Sequence, residues 1–172
     1  MATHEHVKYR IDPDWNDEYR HLQYHHETFN DPELLSKWRS IGYNGPFTGD
    51  MCDMRGAQPS WNQYIIDWFT KRGWQDIGTS YYRMATNTIL PLHSDLYKRY
   101  VEIFNLRGKE ETIRRAIVFL EPWKSGHYLE VNGEVIPSWS AGTVVEWTYD
   151  TPHMAANLGL DMRYTLQVTG HK

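Results

Sequence analysis

Hydrophobic and polar positions divide the chain into two textures. Residues 1 to about 75 are polar and turn-rich, with two short stretches of helical period. Asp31-Pro32-Glu33 ahead of Leu34-Leu35 predicts an N-cap, a proline in the first turn and then a short amphipathic helix. A second helix is predicted from Ser60, because Trp61, Tyr64, Ile65, Trp68 and Phe69 recur at three- and four-residue spacing and Gly73 can stop it. Between them, residues 42–59 are rich in Gly and Pro and read as an irregular loop, a candidate lid.

From Gly78 onward the apolar runs shorten and become β-prone. Strands are predicted at 79–84, 88–93, 99–105, 113–120, 127–131, 134–136, 143–147 and 162–169. Val131-Asn132-Gly133-Glu134 predicts a tight hairpin, since Asn-Gly accepts the positive φ angles of a type I′ turn. No βα alternation occurs, so a doubly wound parallel sheet is disfavoured. The expected fold is mainly β with flanking helices, a double-stranded β-helix (jelly roll, cupin-like). One domain over residues 1–172 is expected, with a helical part to about 75 and a β core over about 78–170.

Composition sharpens this picture at two points. Aromatic residues make up 15% of the chain, with eight Trp and twelve Tyr, which suits a β-rich domain around a deep pocket. The formal net charge is -4 with no basic stripe, so a large nucleic-acid interface lacks its driving force. Cys52 is the single cysteine, the first twenty residues hold no apolar signal-like run, and no stretch is apolar enough to span a membrane. A cytoplasmic location with no membrane partner is the expectation.

His93-Ser94-Asp95 is the segment with candidate chemistry. Two strand residues that are two apart share a face, so an imidazole and a carboxylate can meet one ion. With nine histidines present, a single His-x-Asp arises by chance roughly 0.6 times, so it is weak alone. The downstream context adds weight. His153 follows Thr151-Pro152 after the apolar run Thr143-Val144-Val145-Glu146-Trp147, and Arg163 stands ten residues later. Two histidines and one carboxylate make a facial triad that leaves half of an octahedral iron(II) open. Arg163 and Thr165 share a strand face, and a guanidinium fork beside a hydroxyl matches a planar carboxylate.

This order of motifs, over about residues 81–169, resembles the Fe(II)/2-oxoglutarate-dependent dioxygenase superfamily. Within it, LEVNGEVIPSWSAGTVVEWTYDTPHMAANL is similar to the aspartyl/asparaginyl β-hydroxylase branch, which often has Gly where this chain has Asp95. The resemblance implies that His93, Asp95 and His153 hold Fe(II), and that 2-oxoglutarate and dioxygen are cosubstrates. Arg163 and Thr165 then anchor the far carboxylate of the oxoglutarate. A second basic residue is implied on the strand before Glu121-Pro122, with Arg114 better placed than Arg115. The implied reaction hydroxylates a peptide or amino-acid side chain of the Asp, Asn or Pro type, converting 2-oxoglutarate to succinate and carbon dioxide.

Other readings stand beside it. The substrate can instead be a small metabolite, or the chain can be a cupin-like module that binds metal without catalysis; the latter needs no anion clamp such as Arg163 with Thr165. His21 and His25 have the spacing of a helical zinc pair, but no Cys or carboxylate completes it. His127, beside the hairpin, is a further candidate for the site wall. Asp95 itself reads as an exposed strand-end carboxylate with little part in packing.

Overall fold

The computed structural model describes residues 6–172. Its strands are β1 (His6–Arg10), β2 (His25–His26), β3 (Asp50–Asp53), β4 (Gln75–Met84), β5 (Thr88–His93), β6 (Ile113–Phe119), β7 (His127–Val131), β8 (Glu134–Val135), β9 (Thr143–Thr148), β10 (His153–Asn157) and β11 (Arg163–His171). Its α-helices are α1 (Pro32–Ser40), α2 (Asn62–Thr70) and α3 (Lys98–Ile103). The strands form two antiparallel sheets, a major one in the order β1-β9-β6-β11-β4-β3-β2 and a minor one in the order β5-β10-β7-β8. This is the jelly roll that the strand pattern predicts.

Local chemistry explains most of the boundaries. Asp31 caps α1, its Oδ1 accepting from the Leu34 N–H at 3.0 Å, and Pro32 opens the first turn. Ile65 and Phe69, one turn apart on α2, are buried, and Gly73 takes the positive φ (84°) that turns the chain off the helix. Asn132 and Gly133 both have positive φ, 52° and 77°, and Val131 pairs with Glu134 as a type I′ hairpin requires.

Two cores result. Between the sheets pack Tyr82, Met84, Ile117, Phe119, Leu129, Val131, Trp139, Val145 and Trp147. Behind the major sheet, Tyr81, Ala116, Val118, Val144, Leu166 and Val168 meet Ile65 and Phe69 of α2. The central strands are therefore apolar on both faces. Residues of opposite parity on β6 enter different cores.

Three expectations are corrected here. Residues 99–105 do not form a strand; α3 stands there, because Tyr97, Tyr100, Val101 and Phe104 follow the helical spacing i, i+3, i+4, i+7 and pack as one cluster with Leu106 and Ile113. The β-prone composition of Tyr, Val, Ile and Phe hid that period. The loop at 42–59 contains β3, whose Cys52 is buried against the α2 side. β10 is not evident in the sequence because Ala155 and Ala156 are poor strand formers, yet both are buried and Ala155 packs into the core between the sheets. Among the described residues, no helix is long and apolar enough to cross a membrane.

Candidate metal centre

The pairing of β5 with β10 sets His93 directly opposite His153. Asp95 lies two residues beyond the end of β5, and its carboxylate returns to the two imidazoles. One donor atom from each of His93, Asp95 and His153 lies within 4.8 Å of the other two. His93 Nε2 is 3.5 Å from Asp95 Oδ1, and His153 Nε2 is 3.8 Å from Oδ2. The structure thus brings together the three residues expected from the sequence.

Backbone carbonyls fix how the imidazoles present themselves. His93 Nδ1 lies 2.7 Å from the Pro91 carbonyl and His153 Nδ1 lies 2.9 Å from that of Thr151. A proton on each Nδ1 donates to these acceptors, which leaves the Nε2 lone pairs facing Asp95. Burial drives the His153 imidazole down to about 4, against the pull of Asp95, and so favours the neutral, ligating form. Burial alone raises the Asp95 carboxyl; the Arg115 guanidinium is the largest influence against it, and Asp95 is held far below the usual carboxylate range. Two imidazoles and one carboxylate, all converging, are a donor set that fits a divalent iron.

The centre joins two spaces. An outer cleft of about 580 Å³ is walled by residues 27–31 together with Thr48, Met51, Leu92 and Leu96. Phe29 stands edge-on to His93, with ring centroids 5.3 Å apart. An inner recess of about 50 Å³ runs between the sheets to Arg163 and Thr165, past Trp147 and Ile117. Tyr82, Leu90, His93, Asp95, Arg115 and Gln167 border both.

Arg163 is an unusual group at that inner end. It is 4% exposed, yet no carboxylate pairs with it among the described residues. Its Nε has no hydrogen-bond partner, and Nη1 reaches only the Met84 sulfur, at 3.2 Å. The rings of Phe119 and Trp139 stand 5.8 and 5.6 Å from the guanidinium carbon. Burial lowers its pKa to about 10, opposed by Tyr82. A buried cation without a counter-ion is costly, and an anion in the recess offsets that cost.

Several expected positions move. Arg114 faces the helix side with Ala116 and Val118, and its Nη1 donates to the carbonyls of Glu111 and Ile113. Arg115 is the residue that enters the cavity, so the choice of Arg114 is corrected. The register decides this, since Thr165 opposite Phe119 and Gln167 opposite Ile117 place 115, 117 and 119 on the inner face. His127 is buried with its Nε2 at the Asp161 carbonyl (3.0 Å) and lines neither space. His25 lies on β2 and is exposed, so it forms no helical pair with His21. Residues 27–31 wall the cleft, and of the candidate lid at 42–59 only Thr48 and Met51 line it. Gln167, Tyr97 and Trp147 were missed; Gln167 was readable from its parity with Arg163 and Thr165.

No protein-family model matches this chain, and no curated protein does. Among solved structures it is similar to a prolyl-4-hydroxylase from Pseudomonas putida, at a TM-score of 0.60 and 16% identity, over 99% of this chain and 94% of that one. That likeness establishes the fold. The plu4264 protein of Photorhabdus luminescens is similar at a TM-score of 0.45 and 10% identity, covering 77% of this chain and 82% of its own.

Proposed function

We propose that this protein is an Fe(II)- and 2-oxoglutarate-dependent oxygenase that hydroxylates a peptide or amino-acid side chain. The observation that carries the reading is Arg163. It is a buried guanidinium without an acidic partner among the described residues, on the wall of the same cavity as His93, Asp95 and His153. A dicarboxylic keto acid satisfies both ends of such a cavity. Its far carboxylate lies against Arg163 and the Thr165 hydroxyl, and its keto-acid end reaches the triad.

When bound, iron(II) supplies the activation of dioxygen, one atom of which enters succinate and the other the hydroxylated product, with loss of carbon dioxide. The chain's own residues do the rest. Arg163 and Thr165 orient the cosubstrate, and the apolar walls at Leu90, Ile117, Leu129 and Ala155 keep water from the inner recess. Phe29 shields His93 from the cleft side.

Charge in the outer cleft narrows the substrate. Glu27 and Asp31 line it, and Arg115, the one Lys or Arg among its described lining residues, is taken up by Asp95. A neutral proline or asparagine side chain enters there against less repulsion than an aspartate. The fold shared with a prolyl-4-hydroxylase is compatible with proline as the acceptor.

The test starts without air. Adding 2-oxoglutarate to the Fe(II)-loaded protein is expected to produce a visible charge-transfer band that His153→Ala abolishes. Peptides presenting Pro, Asn or Asp are then supplied with air, and succinate and a one-oxygen gain in peptide mass are measured. Iron binding with no oxoglutarate-dependent band overturns the oxygenase reading in favour of a metal-binding module.

A further inference from the structure

Asp95 stands past the last ladder position of β5, so no strand pairing sets its orientation. Side chains set it instead. Arg115 Nε and Nη2 each lie 3.1 Å from Asp95 Oδ2, and the Tyr97 hydroxyl donates to the same oxygen at 3.2 Å. The guanidinium carbon is 5.3 Å from the Tyr97 ring centroid, and Nη1 is 3.4 Å from Gln167 Oε1. Arg115 is thereby clamped from three sides. Three donors converge on Oδ2, while Oδ1 faces His93 Nε2 at 3.5 Å.

The two carboxylate oxygens are therefore not equivalent. Oδ2 has its lone pairs engaged by two N–H groups and one O–H. Oδ1 is left to His93 Nε2, while His153 Nε2 stands 3.8 Å from Oδ2, beyond hydrogen-bond reach. We propose that Arg115 is a positioning residue: with Tyr97 it occupies Asp95 Oδ2, so that Asp95 gives the metal one oxygen and not two. The consequence is a count of open positions. A one-oxygen carboxylate with two imidazoles leaves three positions on a six-coordinate ion, enough for a chelating keto acid and dioxygen together. A two-oxygen carboxylate leaves two, and the keto acid then fills the site.

A purely structural ion pair predicts something else. If Arg115 only secures the fold, its loss lowers stability and leaves the count of open positions unchanged. The inference rests on the triad being a metal centre, and the readouts separate the two claims. Manganese(II) is the probe, with bound water counted by water-proton relaxation. The wild-type protein is expected to hold three exchangeable waters on the ion, and Arg115→Met is expected to hold two. Affinity of the anaerobic Fe(II) protein for 2-oxoglutarate is expected to fall about 10- to 100-fold in the same variant, the usual span for loss of a partner that orients a ligand. Arg115→Lys keeps the charge but not the fork, and is expected to fall between the two. Tyr97→Phe keeps the ring, removes the third donor and is expected to lose a few-fold in oxoglutarate affinity. If Arg115→Met does not fold, Arg115→Lys and Tyr97→Phe carry the same two readouts. A folded variant with the wild-type water count overturns the role given to Arg115. Failure of the wild-type protein to bind manganese or iron overturns the metal centre itself.

Discussion

Arg115 and Arg163 both reach from the major sheet into one cavity, and they meet opposite conditions there. Burial lowers the pKa of each, but at Arg115 the carboxylate of Asp95 outweighs burial and raises it. At Arg163 burial dominates, and the value falls to about 10. The triad end of the cavity thus holds a charge already matched by the chain. The inner end holds a charge that the described residues leave unmatched. A buried cation with its own counter-ion serves the architecture of the site, whereas one without is poised for an anionic ligand.

The most damaging way to break this contrast is Arg163→Leu. Affinity for 2-oxoglutarate is expected to fall several hundredfold or more, about 3–5 kcal/mol, because the ligand carboxylate loses its buried partner. Iron affinity is expected to stay near wild type, and the melting temperature of the metal-free protein to stay level or rise, since an orphan charge leaves the interior. Charge-transfer titration and a thermal melt measure both. Wild-type oxoglutarate affinity removes the clamp.

Asp95→Ala turns Arg115 into a second orphan. The sequence alone presents Asp95 as an exposed strand-end residue of little weight, but its partner is largely buried. Metal-free Asp95→Ala is expected to lose about 3 kcal/mol, the low end for a broken buried pair because both side chains keep some exposure. Urea denaturation with chelator present reads it. A loss below about 0.5 kcal/mol shows that Arg115 relaxes to solvent.

Smaller effects sharpen the map. Thr165→Val is expected to cost about 1–3 kcal/mol of oxoglutarate affinity, one hydrogen bond's share, with iron binding unaltered. Arg114→Ala, whose guanidinium rests on backbone carbonyls on the other face, is expected to change oxoglutarate affinity by less than about 0.5 kcal/mol. Equal damage from Arg114→Ala and Arg115→Met places the inner face of β6 wrongly.

Much of the frame was legible because its signals are local. The strand at Thr88–His93, the strand at His127–Val131 and the Asn-Gly hairpin depend on side chains a few residues apart. What was hidden fell into two kinds. The helix α3 was masked by β-prone residue types at helical spacing, a conflict in which packing of Val101 against Ile113 outweighed propensity. The strand β10 was masked by two alanines of low strand propensity, of which Ala155 is small enough for the crowded space between the sheets.

The sequence by itself pointed to His93, Asp95 and His153 as a candidate donor set, to Arg163 and Thr165 as a candidate carboxylate-matching pair, and to a jelly roll to carry them. Two-apart parity pairs His93 with Asp95 and Arg163 with Thr165 within one segment each, whereas His153 entered through the order of motifs along the chain. Only the tertiary structure decided that Arg115 and not Arg114 faces the cavity, that residues 27–31 wall the cleft, and that Arg163 has no counter-ion among the described residues. β6 is apolar on both faces, so its alternation carries no information about which face is inner. The register against β11 supplies that information, and register is a relation between segments more than forty residues apart.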